Sequence, residues 1–163
     1  MITIRRIKKE ECDVYKEVRL RALKEAPYAF STTYDSAMQR SDDMWKQQVF
    51  GAATGADQAI FIVLSEEKIT IGLAALYRSS TDQKSGEMAQ VWISPEYRRR
   101  GIGKELLDKV IHWGKENGIA DFEARIMEGN EQAIAFYKKN NFTETGIEVQ
   151  NNIKEYVLRW QMG

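Results

Sequence analysis

The run Ile93-Ser94-Pro95-Glu96-Tyr97-Arg98-Arg99-Arg100-Gly101-Ile102-Gly103-Lys104-Glu105-Leu106-Leu107 admits few folds. An apolar segment stops at a proline, arginines and glycines turn the chain, and an amphipathic segment begins at once. That order reads as strand, turn, helix. The first four N–H groups of a helix lack an intrahelical partner, and the helix dipole makes that end positive. Gly101 and Gly103 remove side chains that would keep a ligand from the backbone, and Arg98, Arg99 and Arg100 stand beside them. Such a turn suits an anion such as a pyrophosphate. Two familiar phosphate loops do not fit, because G-x-x-x-x-G-K-[ST] is absent and the third residue after Gly103 is Leu106 rather than glycine. On this motif alone, a solvated charge run with a turn ahead of a helix remains an equal reading.

A second block decides between them. Asn130-Glu131-Gln132-Ala133-Ile134-Ala135-Phe136-Tyr137-Lys138-Lys139-Asn140-Asn141-Phe142 follows one helix and one strand later. The first run resembles the acetyl-CoA loop V-x-P-x-x-[RQ]-x-x-G-x-G of the Gcn5-related N-acetyltransferase (GNAT) family, and the second resembles that family's N-x-x-A-[IR]-x-[FL]-Y-x-K-x-G-F segment. Order and separation agree as well. The one departure is Asn141 in place of glycine, and asparagine tolerates left-handed backbone better than most residues.

Along the chain, Met1 to Ile7 alternates like a strand, and Val14, Val18, Leu20 and Leu23 recur with helical spacing up to Pro27. An aromatic loop from Tyr28 to Asp35 leads to Ser41, a candidate cap for a helix carrying Met44, Trp45, Val49 and Phe50, which ends over Gly51 to Asp57. Gln58 to Ser65 and Thr70 to Tyr77 read as a hairpin, and Glu87 to Ile93 as the strand entering the phosphate turn. The next helix ends at Gly118. Asp121 to Met127, a helix from Asn130, Thr143 to Val149 and Ile153 to Gln161 complete the order β-α-α-β-β-β-α-β-α-β-β. Residues 1–163 read as one α/β domain; the resemblance implies the GNAT acyl-CoA N-acyltransferase fold, a mixed, mostly antiparallel sheet flanked by helices.

Twenty-four basic residues balance 24 acidic ones, so no net field draws the chain to nucleic acid or to an acidic membrane. Cys12 is the only cysteine and His112 the only histidine, which excludes an intrachain disulfide and makes a His/Cys metal centre untenable. No metal is expected. The absence of a secretory signal or membrane-length apolar run leads to the expectation of a cytoplasmic protein. His112 reads as a surface helix residue.

The resemblance implies transfer of the acetyl group of acetyl-CoA to a primary amine, a small molecule or a peptide N-terminus, by direct attack in a ternary complex. It places the pyrophosphate on the backbone from Arg99 through Gly101, Ile102 and Gly103 to Lys104, with Arg98 at the head of the turn. Arg99 and Arg100 as side chains are equally readable as solvated charge. The strand Glu87 to Ile93 is the one that pairs with the pantetheine arm, through Val91, Trp92 and Ile93. Alternation puts Glu87, Ala89, Val91 and Ile93 on one face and Met88, Gln90 and Trp92 on the other. Glu87 takes the place of the family's base, Tyr137 that of the acid that protonates the leaving thiolate, and Asn130 that of a CoA-contacting residue. Each has a plainer counterpart: a solvated glutamate, a core aromatic and a helix cap. Arg19 to Phe30 resembles the N-terminal region of a bacterial subgroup of uncertain substrate, so Tyr28, Phe30, Tyr34, Asp35 and Trp45 are acceptor-site candidates as well as core candidates. The rival function is a non-catalytic acyl-CoA-binding or sensing domain with the same fold; a homodimer stays open.

Overall fold

The computed structural model describes residues 1–160. One seven-stranded sheet organises them, from β1 (Thr3–Arg6) through β2 (Gln58–Leu64), β3 (Thr70–Arg78), β4 (Ser85–Ile93), β5 (Asp121–Met127) and β6 (Phe142–Gln150) to β7 (Ile153–Trp160). The strands lie in the order β1-β2-β3-β4-β5-β7-β6, and every pairing is antiparallel except β4 with β5. The expected mixed, mostly antiparallel sheet is therefore present. The expected last strand reached Gln161, which lies outside the described residues.

Helices cover the sheet's two faces. α1 (Cys12–Glu25), α2 (Tyr34–Met38) and α3 (Asp42–Thr54) lie on one, and α4 (Ile102–Glu116) and α5 (Glu131–Lys139) on the other. Pro27 restricts Ala26 and starts a single 3-10 turn, so α1 stops at Glu25. Ser41 accepts from the Met44 N–H and begins α3 as its type predicts. Two details depart from the sequence reading. α2 is a five-residue helix that begins at the end of the expected loop and runs beyond it to Met38, started by Thr33 accepting from the Ser36 N–H. α3 runs through Gly51 to Thr54, because helical pairing continues across a single glycine at a cost of only about 1 kcal/mol.

The central strands explain the dense apolar runs. β3 carries Ile71, Ala74 and Leu76 into the α4/α5 side and Leu73 and Ala75 into the α1/α3 side, so both of its faces are buried. α4 comes close to the sheet at Gly114, where a Cβ would sit 2.5 Å from the Phe122 ring. On the outer half, β6 is exposed after Phe142. Arg125 there joins Glu123 (2.9 Å) and Glu148, and Arg159 joins Glu123 (3.1 Å).

Candidate active site

β4 and β5 pair in parallel only from Ser85↔Asp121 to Met88↔Ala124. Beyond that point each strand keeps its other neighbour, β4 through Leu73↔Trp92 and Gly72↔Ile93, β5 through Arg125↔Val157 and Ile126↔Tyr156. The edges that face each other are left without a sheet partner. A cleft of about 470 Å³ opens there, lined by Val91, Trp92, Ile93, Arg125 and Ile126 from the strands and by Asn130, Phe136 and Tyr137 from α5. Free strand edges in a cleft are donors and acceptors ready for an extended guest bearing amides.

The splay has a local cause. Gln90 adopts φ 59°, and the β3/β4 register shifts between Leu73 and Ala75, which marks a bulge in β4. Its side chain holds this costly conformation in place. Gln90 Oε1 accepts from the Tyr15 hydroxyl (2.7 Å), Gln90 Nε2 donates to the Tyr77 hydroxyl (3.0 Å), and Gln48 Nε2 donates to both tyrosines (3.1 Å each). The bulge overturns the expected alternation. Met88 packs with the α4/α5 cluster and Trp92 with the α1/α3 cluster, while Val91 and Ile93 lie against the α4/α5 side. Glu87, adjacent to Met88 and paired with Tyr77, therefore faces away from Val91 and Ile93.

At one end of the cleft stands the N-terminus of α4. Its N-cap is Gly101 at φ 79°, with no side-chain cap bond, whereas Thr33, Ser41 and Asn130 cap α2, α3 and α5. Arg99 is also left-handed (φ 64°), so the turn curls its backbone toward the cleft, which Arg99, Gly101, Ile102, Gly103 and Lys104 all line. A Cβ at Gly101 would meet nothing within 4 Å, but one at Gly103 would lie 3.1 Å from the Phe136 ring. Gly101 thus serves the turn's shape and its open approach, and Gly103 serves contact between α4 and α5.

The arginines divide their work. Arg98 donates to the Ile93 carbonyl (2.8 Å) and to Glu25 (2.6 Å), which also receives the Trp92 indole N–H (2.8 Å). Its side chain ties the turn to α1. Arg100 lies over the Tyr97 ring (5.1 Å) and donates to the Glu96 carbonyl (3.0 Å), away from the cleft. Arg98 and Arg99 both line the cleft, Arg98 half-buried and Arg99 exposed.

Tyr137 is 6% exposed, with its ring edge-on to Phe136 (5.3 Å) and Phe142 (5.0 Å). Burial, aided by the negative Glu87, pushes its phenol well above the usual tyrosine range. Tyr137 is therefore both core and cleft. Asn130 likewise caps α5 through the Ala133 N–H (3.3 Å) and lines the cleft. Glu87 lies outside the cleft lining; burial raises its carboxyl above the usual range, with Arg125 pulling the other way. Of the acceptor candidates, Tyr28 and Phe30 reach the cleft. Tyr34 starts α2 with Lys24 over its ring, Asp35 follows in that helix's first turn, and Trp45 is 1% exposed in the α1/α3 core. Asn141 takes φ 73°, the left-handed turn for which asparagine substitutes for glycine.

Residues 19–142 match the model of the Acetyltransferase (GNAT) family. The chain belongs to that family. It is 26% identical over 162 residues to an uncharacterized N-acetyltransferase of Methanocaldococcus jannaschii, a match covering 97% of this chain and 64% of that protein. The fold of a GNAT-family acetyltransferase from Streptococcus pneumoniae superposes with a TM-score of 0.85 over 100% of both chains at 16% identity. The PaiA N-acetyltransferase of Thermoplasma acidophilum, solved in complex with coenzyme A, gives 0.80 over 99% of each chain at 19% identity. Among the described residues no helix is long and apolar enough to cross a membrane, and no group of three or more His, Cys, Asp or Glu side chains is gathered as for a metal ion.

Sequence reasoning missed two residues. Arg19 lies on the buried face of α1 with Tyr15, Val18 and Ala22, although its type belongs outside, and no periodicity marks it. Gln90 is the bulge itself.

Proposed function

We propose that this protein is an N-acetyltransferase acting from the cytoplasm as a single domain, moving acetyl from acetyl-CoA to a primary amine. One observation carries the reading: the open N-terminus of α4, with no side-chain cap, and the buried Tyr137 line one cleft between two unpaired strand edges. The pyrophosphate binds the backbone N–H groups of Gly101 to Lys104, and the pantetheine amides extend along Val91 to Ile93. The relative solved with coenzyme A supports this cosubstrate.

In the step itself the amine nitrogen attacks the thioester carbonyl, an N–C bond forms and the C–S bond breaks. The proton lost by nitrogen passes toward Glu87, through water across the splay, and the thiolate is met by the Tyr137 hydroxyl. Direct attack suits this chain, because burial raises the Cys12 thiol and so works against its thiolate, and Cys12 opens α1 rather than lining the cleft.

Free CoA released from acetyl-CoA by a panel of polyamines, aminoglycosides, amino acids and peptide N-termini tests the reading. Turnover with at least one class is expected. Tight acetyl-CoA binding without thiol release from any would favour the sensing-domain reading instead. A base must be deprotonated to act, and burial raises the Glu87 carboxyl. The low-pH limb of the rate profile is therefore expected above the ordinary carboxylate range, with activity rising as pH passes through it. Glu87→Gln removes that limb; a limb unchanged in this variant would assign the proton to another group.

A further inference from the structure

A second cavity, of about 520 Å³, lies between α1, α2, α3 and the bulge of β4. Its lining includes Arg19 and Arg40 and no carboxylate. Arg19 is 7% exposed, and its Nη1 is buried with no partner. The ionisable groups around it are Tyr15, Tyr77 and Arg40, so nothing near it is negative at neutral pH. A guanidinium stays charged in almost any setting, and a buried cation without a counter-ion is strongly unfavourable. The Phe30 ring beneath it, at 4.8 Å, offsets only part of this. Beside it Arg40 lies over the Trp45 ring at 4.4 Å, and the Trp45 Nε1 is another buried group lacking a partner. Gln48 Oε1, on the same lining, is an unpartnered acceptor, so what the cavity holds in excess is positive charge, from Arg19 and Arg40.

Two residues join this cavity to the cleft. Gln90 lines both. Phe30 lines the cleft while stacking on Arg19. The bulge that opens β4 from β5 is thus also the wall between the cationic cavity and the place where acetyl would be transferred.

We infer that the cavity holds the anionic end of the acceptor, an amine bearing a carboxylate such as a free amino acid, with Arg19 as the principal carboxylate ligand and Arg40 as its neighbour. The inference rests on the acetyl-transfer reading and deepens it. A guanidinium fork matches a carboxylate in two parallel hydrogen bonds, and the missing counter-ion of Arg19 is then supplied by the substrate. The amino group, attached next to the carboxylate, is directed past Gln90 toward the cleft, and the product is an N-acetylated amino acid.

The test uses the full chain, acetyl-CoA, the twenty common amino acids and their decarboxylated amines. Among amino acids that react, kcat/KM should exceed that of the matching decarboxylated amine by about 10²-fold or more, because the amine leaves a buried charge unpaired. Arg19→Met should erase this preference with acetyl-CoA affinity unchanged and with thermal stability equal or higher, since a stranded charge is removed; Arg19→Lys should restore part of it. A merely structural arginine would lose stability on the same change. Equal reactivity of decarboxylated amines, or a preference that survives Arg19→Met, overturns the inference. If no compound releases CoA, the acetyl-transfer reading fails, and calorimetry decides the cavity separately. Amino-acid binding abolished by Arg19→Met then upholds the carboxylate site, whereas binding that is absent, insensitive to the change or matched by chloride overturns it.

Discussion

Tyr137→Phe is expected to lower turnover by about 10²-fold, the lower end of the usual 10² to 10⁴ for one acid group, with acetyl-CoA affinity nearly intact. The variant removes only the hydroxyl. Its ring contacts with Phe136 and Phe142 remain, so the cleft wall keeps its shape. The magnitude follows from the environment. Burial holds the phenol protonated at any working pH, so the donor is always loaded. The same burial makes the phenolate unfavourable, so the hydroxyl assists the departing sulfur chiefly as a hydrogen-bond donor rather than by complete early transfer. That weakens the effect from the upper end of the range. Single-turnover rates with a poorly activated amine, together with acetyl-CoA titrations, check it. Full activity across the pH range would mean that solvent protonates the thiolate.

What could be read from the sequence was what is local in it. The glycine turn, the helix after it and the Asn130 cap each depend on residues within a few positions, and the left-handed Asn141 follows from one residue type. The family's two motifs carried Tyr137, whose double role no apolar pattern distinguishes from simple packing. The failures were tertiary. Alternation along β4 assumed an unbroken strand, but Tyr15, Gln48 and Tyr77, distant in sequence, stabilise a left-handed Gln90 and reverse the faces beyond it. Arg98, at the head of the turn and on the cleft lining, also pairs with Glu25 of α1, a contact between residues far apart in sequence. Trp45 packs edge-on to Tyr15 (5.6 Å) in the core and also lines the second cavity, a double placement that no apolar pattern shows. Arg19 was hidden for the opposite reason, since burying a charge runs against its type and only the assembled α1/α2/α3 layer shows it.

Gly101→Glu is expected to weaken acetyl-CoA binding by about 10²-fold or more. The glycine caps α4 in left-handed backbone, and its missing side chain points into open space on the cleft. A glutamate there sets a carboxylate against the pyrophosphate. Two unit charges about 4 Å apart at an effective dielectric near 20 repel by about 4 kcal/mol, and the open cleft lets salt screen part of this. About 3 kcal/mol remaining corresponds to roughly 10² in affinity, at about 1.4 kcal/mol per tenfold. Gly101→Ala separates charge from backbone: it meets no neighbour, so only the left-handed penalty of about 1–2 kcal/mol applies, and affinity should stay within about tenfold. Gly103→Glu is the poorer probe, because its Cβ would lie 3.1 Å from the Phe136 ring, which must shift to make room, so a change there mixes packing with charge. Calorimetry on melting-checked Gly101 variants gives the answer. Affinity unchanged in Gly101→Glu would remove the pyrophosphate from this turn and with it the placement of acetyl-CoA in the cleft.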